Sequence, residues 1–278
     1  MVTPNRATTG ALANEAASKI LEAIDAKPRI AMLLGTGHTS IANQLQNKYT
    51  FSQEDLPGGL HFDKKESQPL QFGYLEGVPV IVGDAPVAAY EGYSAQKVTF
   101  PVRVLRATGA DLLILTAAAA SLSLQLEPGA IAVVEDHINL SGIHPLHGPN
   151  DDTLGPRFPD MSDPYTEGWR TVARHVAREV GIPCLPGVFA AVPGPSLPTR
   201  AEYRHLKLIG ADLVGMSLVP EVLAAVHTGF QVLALAGVTQ SINLEQHTPT
   251  SIEDMLDAAD IAAPRIATLL TGIAASVR

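Results

Sequence analysis

Apolar positions along the chain follow two rhythms in turn. ALANEAASKILEAI (11–24) places them at helical spacing and is stopped by Pro28, whereas the next stretch, RIAMLLG (29–35), is apolar without interruption. The first predicts an amphipathic helix and the second a buried strand. The same alternation continues. PLQFGYLEG and VPVIVGD (69–84) predict two strands turning near Glu76 and Gly77, and SAQKVTFPVRVLRATG (94–109) predicts a helix kinked near Pro101 and capped by Gly109. ADLLILTAAAASL (110–122) and PGAIAVVEDHINL (128–140) read as strands, YTEGWRTVARHVAREVG (165–181) as a helix, and CLPGVFAAV as a strand. RAEYRHLKLIG (200–210) and VPEVLAAVHTG (219–229) are helical, ADLVGMS (211–217) and QVLALAGVTQ (231–240) are strands, and the chain is helical from about 250.

Strand following helix throughout predicts an α/β sheet covered by helices. No linker interrupts the 278 residues, which points to a single domain, 1–278. One echo stands out: VLRATGADLLILT and HLKLIGADLVGMS both run helix, glycine, Ala-Asp, buried strand. It reads as repeated use of a good connector, with both strands ending at the carboxyl edge of the sheet, where α/β proteins place their chemistry.

Composition narrows the function. Hydrophobic residues make up 46% of the chain but aromatic ones only 5%, so the core is built from Ala, Val, Leu and Ile. The formal charge of -9 opposes nucleic acid or an anionic membrane as partner, since no cationic surplus is available to neutralise phosphates. No apolar stretch approaches bilayer length, and the opening MVTPNRATTG lacks the order of a signal peptide, so a cytoplasmic location is expected. Cys184 is the single cysteine, which excludes an intrachain disulfide or a multi-thiolate metal site and reads as a packed thiol.

Several local signals carry little. HPLH (144–147) has two histidines three apart but lies in a Gly/Pro-rich loop, and no metal is expected there. GTG (35–37) does not complete a dinucleotide fingerprint, and GPS (194–196) is not a nucleophile elbow. The alanines at 117–120 offer no side-chain chemistry, so any binding at that strand end falls to the backbone.

Taken in order, AYEGYSAQKVTFPVRVL, TAAAASL, DHINLSG, PLHGPND, RFPDMSDPY, PGPSLPTRAEYR and GADLVGMSLVPEV resemble the trimeric purine nucleoside phosphorylases, from about Ile30 to the C-terminal helix. The resemblance implies one α/β domain whose mixed sheet partly closes into a barrel, and a homotrimer. It also implies phosphorolysis of a purine nucleoside, giving free base and ribose 1-phosphate, with inorganic phosphate as co-substrate and no other cofactor. The transition state is oxocarbenium-like, so such a site holds an anion near the anomeric carbon and steadies charge leaving on the purine.

Carried over by position, the resemblance implies phosphate contacts from Thr36, the backbone amide of Ala118 and Ser217. It implies ribose contacts from Tyr90, Met216 and Ile252, and base contacts from Leu197, Pro198 and Gln240, the last also meeting the departing purine. Phe158 falls where the family sends an aromatic into the neighbouring subunit's site. Read without the resemblance, Thr36 and Ser217 are helix caps and Met216 and Leu197 are packing residues.

The chain departs from the family's pattern inside the site. Pro86 and Ala88 stand for an arginine and a histidine that bind phosphate, Glu66 for an earlier histidine, and Ala117, Ala120 and Ser121 for the asparagine and glycines of the anion loop. Leu197 and Pro198 replace an aromatic and a base-reading glutamate, Gln240 an asparagine, and Ile252 a histidine that meets the 5′-hydroxyl. Two functions follow as expectations. One is a phosphorylase of altered specificity or low turnover; the other is a non-catalytic homologue that binds a nucleoside or base. Hydrolysis by water is a third possibility, for which the sequence offers no general base.

Overall fold

The computed structural model describes residues 8–35, 39–52, 56–57, 69–84, 89–245 and 251–277. Helix α1 (Thr9–Ala23) starts where the Thr8 hydroxyl accepts the Ala11 amide, and buried strand β1 (Ile30–Leu34) follows. Strand β2 (Gln46–Phe51) precedes the hairpin of β3 (Leu70–Leu75) and β4 (Val78–Asp84). Glu76 and Gly77 both take positive φ, 52° and 77°, the geometry of a two-residue turn that matches strand twist. The expected kinked helix is two helices, α2 (Ala95–Val98) and α3 (Phe100–Ala107), because Pro101 sits in the first turn of α3, where a missing N–H costs nothing.

The remaining elements follow the sequence pattern. They are β5 (Leu112–Ser121), β6 (Ile131–Asn139), α4 (Glu167–Glu179), β7 (Cys184–Ala191), α5 (Arg200–Leu208), β8 (Leu213–Gly215), α6 (Val219–His227), β9 (Gln231–Ser241) and α7 (Ile252–Ala275). Among the described strands, β2 alone carries no signal in the sequence: QNKYTF lies almost wholly exposed against β3 and has no apolar face to reveal it.

Among the described residues the strands form one sheet of nine, ordered β2-β3-β4-β1-β5-β8-β7-β6-β9, and β9 returns to pair with β5. That closing pair makes β5, β8, β7, β6 and β9 a five-stranded barrel, with β1 to β4 as an open wing. The sheet is mixed: β5 runs parallel to β1 and β9 but antiparallel to β8. The two strands of the Gly-Ala-Asp echo therefore do not end at one edge. They pair antiparallel, the last residues of β5 (Ala120 and Ser121) lying beside the first of β8 (Val214 and Leu213).

The two faces of β5 feed two cores. Leu113, Leu115, Ala117 and Ala119 pack in one with α1, α3 and α6, while Leu112 and Ile114 pack in the other with α4 and α7. This two-sided burial explains the uninterrupted apolar run in the sequence. Helix α7, at 24 residues, is long and apolar enough by composition to cross a bilayer, which corrects the expectation that no segment reaches that length. Here its apolar face, including Ala262, Ile266, Leu270 and Ile273, is buried in the second core.

Candidate active site

The seam between barrel and wing sets the site. On one side of β5, pairing with β1 stops at Leu33–Leu115 and pairing with β8 begins only at Ala120–Val214. The Gly35 amide donates to the Thr116 carbonyl at 3.1 Å, which shows that the backbone groups of alternate residues from Thr116 point to this side. Ala118 thus sets its amide in the interval that neither strand covers. Side chains alternate as well: Ala117 and Ala119 are buried, whereas Ala118 is exposed into the opening. Small residues are what let the backbone be approached here. A Cβ on Gly35 would lie 2.8 Å from the Thr116 carbonyl oxygen, and one on Gly215 3.1 Å from that of Ala118.

A cavity of about 280 Å³ fills this opening. Below it, β8 passes into α6 through a turn at Leu218 with φ 77° and ψ -56°, closed by the Val219 amide donating to the Ser217 carbonyl at 2.9 Å. This is the γ-turn with positive φ, a strained form for a residue with a side chain, and it sets Ser217 on the cavity wall. The Ser217 hydroxyl does not cap α6, whose N-cap is Leu218 without a side-chain bond. Met216 also lines the cavity, packed against Gly194, where φ of 67° and the neighbouring sulfur leave no room for a Cβ.

The opposite end is shaped by α5. Thr199 and Glu202 form a reciprocal capping box: the Thr199 amide donates to the Glu202 carboxylate at 2.6 Å, and the Glu202 amide donates to the Thr199 hydroxyl at 3.3 Å. With α5 so fixed, Tyr203 and Leu206 face inward, and Tyr203 joins Val192, Leu197, Pro198 and Val214 on the wall. On β9 the register shifts between the pairs at Ala119 and Ala120, so Thr239 has no opposite number and Gln240 faces Ala120 at the cavity. The 3₁₀ turn Ala89–Glu91 contributes Tyr90 and Glu91, and α7 contributes Met255.

The structure thus brings Tyr90, Ala118, Leu197, Pro198, Met216, Ser217 and Gln240 to one cavity. It does not bring Ile252, the first residue of α7, which is 65% exposed; Met255, almost one turn later, lines the cavity instead. Phe158 is 87% exposed away from it, with the Arg157 guanidinium 5.6 Å from its ring centre. Thr36, Glu66, Pro86 and Ala88 lie outside the described residues. Sequence reasoning does not find Tyr203, Thr239 or Met255. Tyr203 is legible in part, as the inward position one turn after a threonine cap.

The GPND motif ties separate segments together. Asp151 accepts the Gly10 amide at 2.9 Å at the start of α1, Asn150 donates to the Gly155 carbonyl at 2.9 Å, and its Oδ1 lies 3.2 Å from His227 Nε2. His144 and His147 stack at 5.1 Å, and among the described residues no group of three or more metal-ligating side chains is assembled.

Burial shifts three acidic groups strongly. Glu221 of α6 is 3% exposed, its Oε2 has no partner among the described residues, and burial pushes its carboxyl up to about 7. It adjoins a void of about 10 Å³ that shares Met216 and Ser217 with the main cavity. Its charge, after burial itself and Asp136, helps hold the Tyr165 phenol well above its ordinary range, and Tyr165 Oη lies 3.0 Å from His137 Nδ1. Cys184 is half-buried, and desolvation pushes its thiol up to about 12.

A cavity lined by a backbone strand and a serine at one part, with a tyrosine on its wall and an apolar end, defines a small-molecule site at a sheet discontinuity. Residues 29–275 match the Phosphorylase superfamily. Purine nucleoside phosphorylase 1 of Bacillus subtilis is 38% identical over 246 residues, covering 88% of this chain and 91% of the relative. The bovine purine nucleoside phosphorylase is 34% identical over 274 residues, covering 95% and 94%. A Schistosoma purine nucleoside phosphorylase in complex with hypoxanthine superposes with a TM-score of 0.90 at 31% identity, covering 96% and 97%. The chain belongs to the purine nucleoside phosphorylase family.

Proposed function

We propose that the chain binds a purine nucleoside in this cavity and cleaves it with phosphate, at low turnover and with altered base preference. One observation carries the reading: the uncovered Ala118 amide and the Ser217 hydroxyl, set by a strained turn, line one cavity with Tyr90. In this reading a phosphate oxygen attacks C1′ from the Ala118–Ser217 end as the bond to the purine breaks. Ribose 1-phosphate forms, and the Gln240 amide meets the charge leaving on the base. Tyr90 and Met216 bound the sugar, and Leu197 and Pro198 pack on the base. Thr36, next to the cavity-lining Gly35, supplies a further phosphate hydroxyl.

Turnover is reduced because two cationic donors are gone. Each charged hydrogen bond contributes about 1.5–3 kcal/mol, so replacing them by Pro86 and Ala88 weakens phosphate binding by about two to four powers of ten. The protein acts in the cytoplasm as a homotrimer, where the protruding Phe158 reaches a neighbour. A second reading, a nucleoside-binding homologue without turnover, is favoured by the same losses.

Release of free base from inosine, adenosine and 5′-methylthioadenosine, with and without phosphate, separates them. Phosphate-dependent release that falls at least tenfold in Ser217→Ala and Tyr90→Phe supports the phosphorylase. Release without phosphate makes the protein a hydrolase. Binding with no release by a folded protein establishes the non-catalytic reading.

A further inference from the structure

The apolar end of the cavity is lined by a tyrosine whose hydroxyl makes no hydrogen bond among the described residues. Tyr203 is 6% exposed, packs its ring against Val214, Leu206 and Val192, and lines the cavity, yet no hydrogen bond within the described residues reaches its hydroxyl. A phenol in the interior ordinarily finds a hydrogen-bond partner, and a Tyr203 hydroxyl that makes none within the protein is left available to a molecule in the cavity. The nearest carboxylate in sequence cannot serve a ligand in its place. Glu202 is held by the capping box, its Oε2 accepting the Thr199 amide at 2.6 Å. Leu197, Pro198, Val192 and Val214 offer no side-chain donor or acceptor at all. Burial, with Glu202 second, raises the Tyr203 phenol further, which keeps its proton in place.

We infer that the Tyr203 hydroxyl hydrogen-bonds the polar edge of the bound purine, making this an uncharged base reader that takes 6-oxo and 6-amino purines alike. A hydroxyl donates to an oxo group and accepts from an amino group by rotating one bond, whereas a carboxylate only accepts. Discrimination is therefore small, because neither substituent leaves a charged group unpaired. The inference rests on the reading of the cavity as a purine nucleoside site, and it assigns Tyr203 a specificity role.

The test is calorimetric binding of hypoxanthine, adenine and ribose 1-phosphate to the wild type, Tyr203→Phe and Ser217→Ala, each checked by thermal denaturation. Wild type is expected to bind the two bases within about tenfold of each other. Tyr203→Phe, which keeps the ring, should weaken both by about 5- to 15-fold and leave ribose 1-phosphate within about twofold. Ser217→Ala should show the reverse pattern. Equal base affinity in Tyr203→Phe and wild type overturns the inference while leaving the site reading intact. So does an equal loss for ribose 1-phosphate, or a wild-type preference above about a hundredfold for one base. Failure of the wild type to bind any of the three ligands removes the site reading and the inference together. A crystal structure of the unmodified protein with hypoxanthine tests the same contact independently. A Tyr203 Oη within about 3.2 Å of a base nitrogen or oxygen supports the inference, and a separation beyond about 4 Å with no bridging water overturns it.

Discussion

Glu221→Gln isolates the free-energy effect of one buried acid. The wild-type carboxyl is fully enclosed on α6, with Oε2 unpartnered among the described residues, and burial raises it from 4.5 to about 7. A carboxyl raised in the folded state binds its proton more tightly there than in the unfolded chain. Its favourable contribution is complete below the unfolded value of 4.5 and is lost as pH rises through about 7. A difference of 2.5 between those values corresponds to about 3 kcal/mol. Glutamine keeps the shape and does not titrate. Urea denaturation of both proteins at one fixed concentration, from pH 4 to pH 8, should therefore show wild type losing about 3 kcal/mol relative to the variant across that interval. Subtracting the variant removes every other titrating group. Parallel stability curves would refute the argument, because they mean that the carboxyl ionises in the folded protein as easily as in water.

Three further outcomes follow from packing and capping. Thr199→Ala removes the hydroxyl that accepts the Glu202 amide and should lower Tm by about 2–4 °C while weakening base binding through Tyr203; an unchanged Tm in differential scanning calorimetry contradicts the capping account. Gly155→Ala puts a Cβ 1.9 Å from the His227 carbonyl oxygen, a backbone atom that cannot swing aside. A loss of about 3 kcal/mol or more in urea is expected, and wild-type stability would show the contact to be relaxed. With its thiol pushed up to about 12, Cys184 should react slowly with a thiol-specific reagent at pH 8 in the native protein and fully in guanidinium, so rapid native labelling would contradict the raised thiol.

Most of the elements and part of the site are legible in the run of residues. Each long apolar run, each proline stop and each glycine cap states a local preference, and local preference is enough to form α4, β5 or the turn at Glu76 and Gly77. The ordered motifs from YEGY to GMS-VPE carry the family, and within it the positions of Tyr90, Ala118, Met216 and Ser217. The exposed edge strand β2 leaves no trace, because a strand with both faces wet has no pattern to show.

Relations between segments far apart in the chain come from the folded molecule alone. That β5 is bordered by β1 along one half and β8 along the other, with an uncovered interval at Ala118, depends on the barrel closing between β5 and β9. The inward turn of Tyr203 onto the Leu197 wall depends on where α5 docks, and the choice of Met255 over Ile252 depends on the rotation of α7 against the second core. Those placements come from non-local packing, in which a residue's neighbours are chosen by the whole core, so the letters around it do not record them.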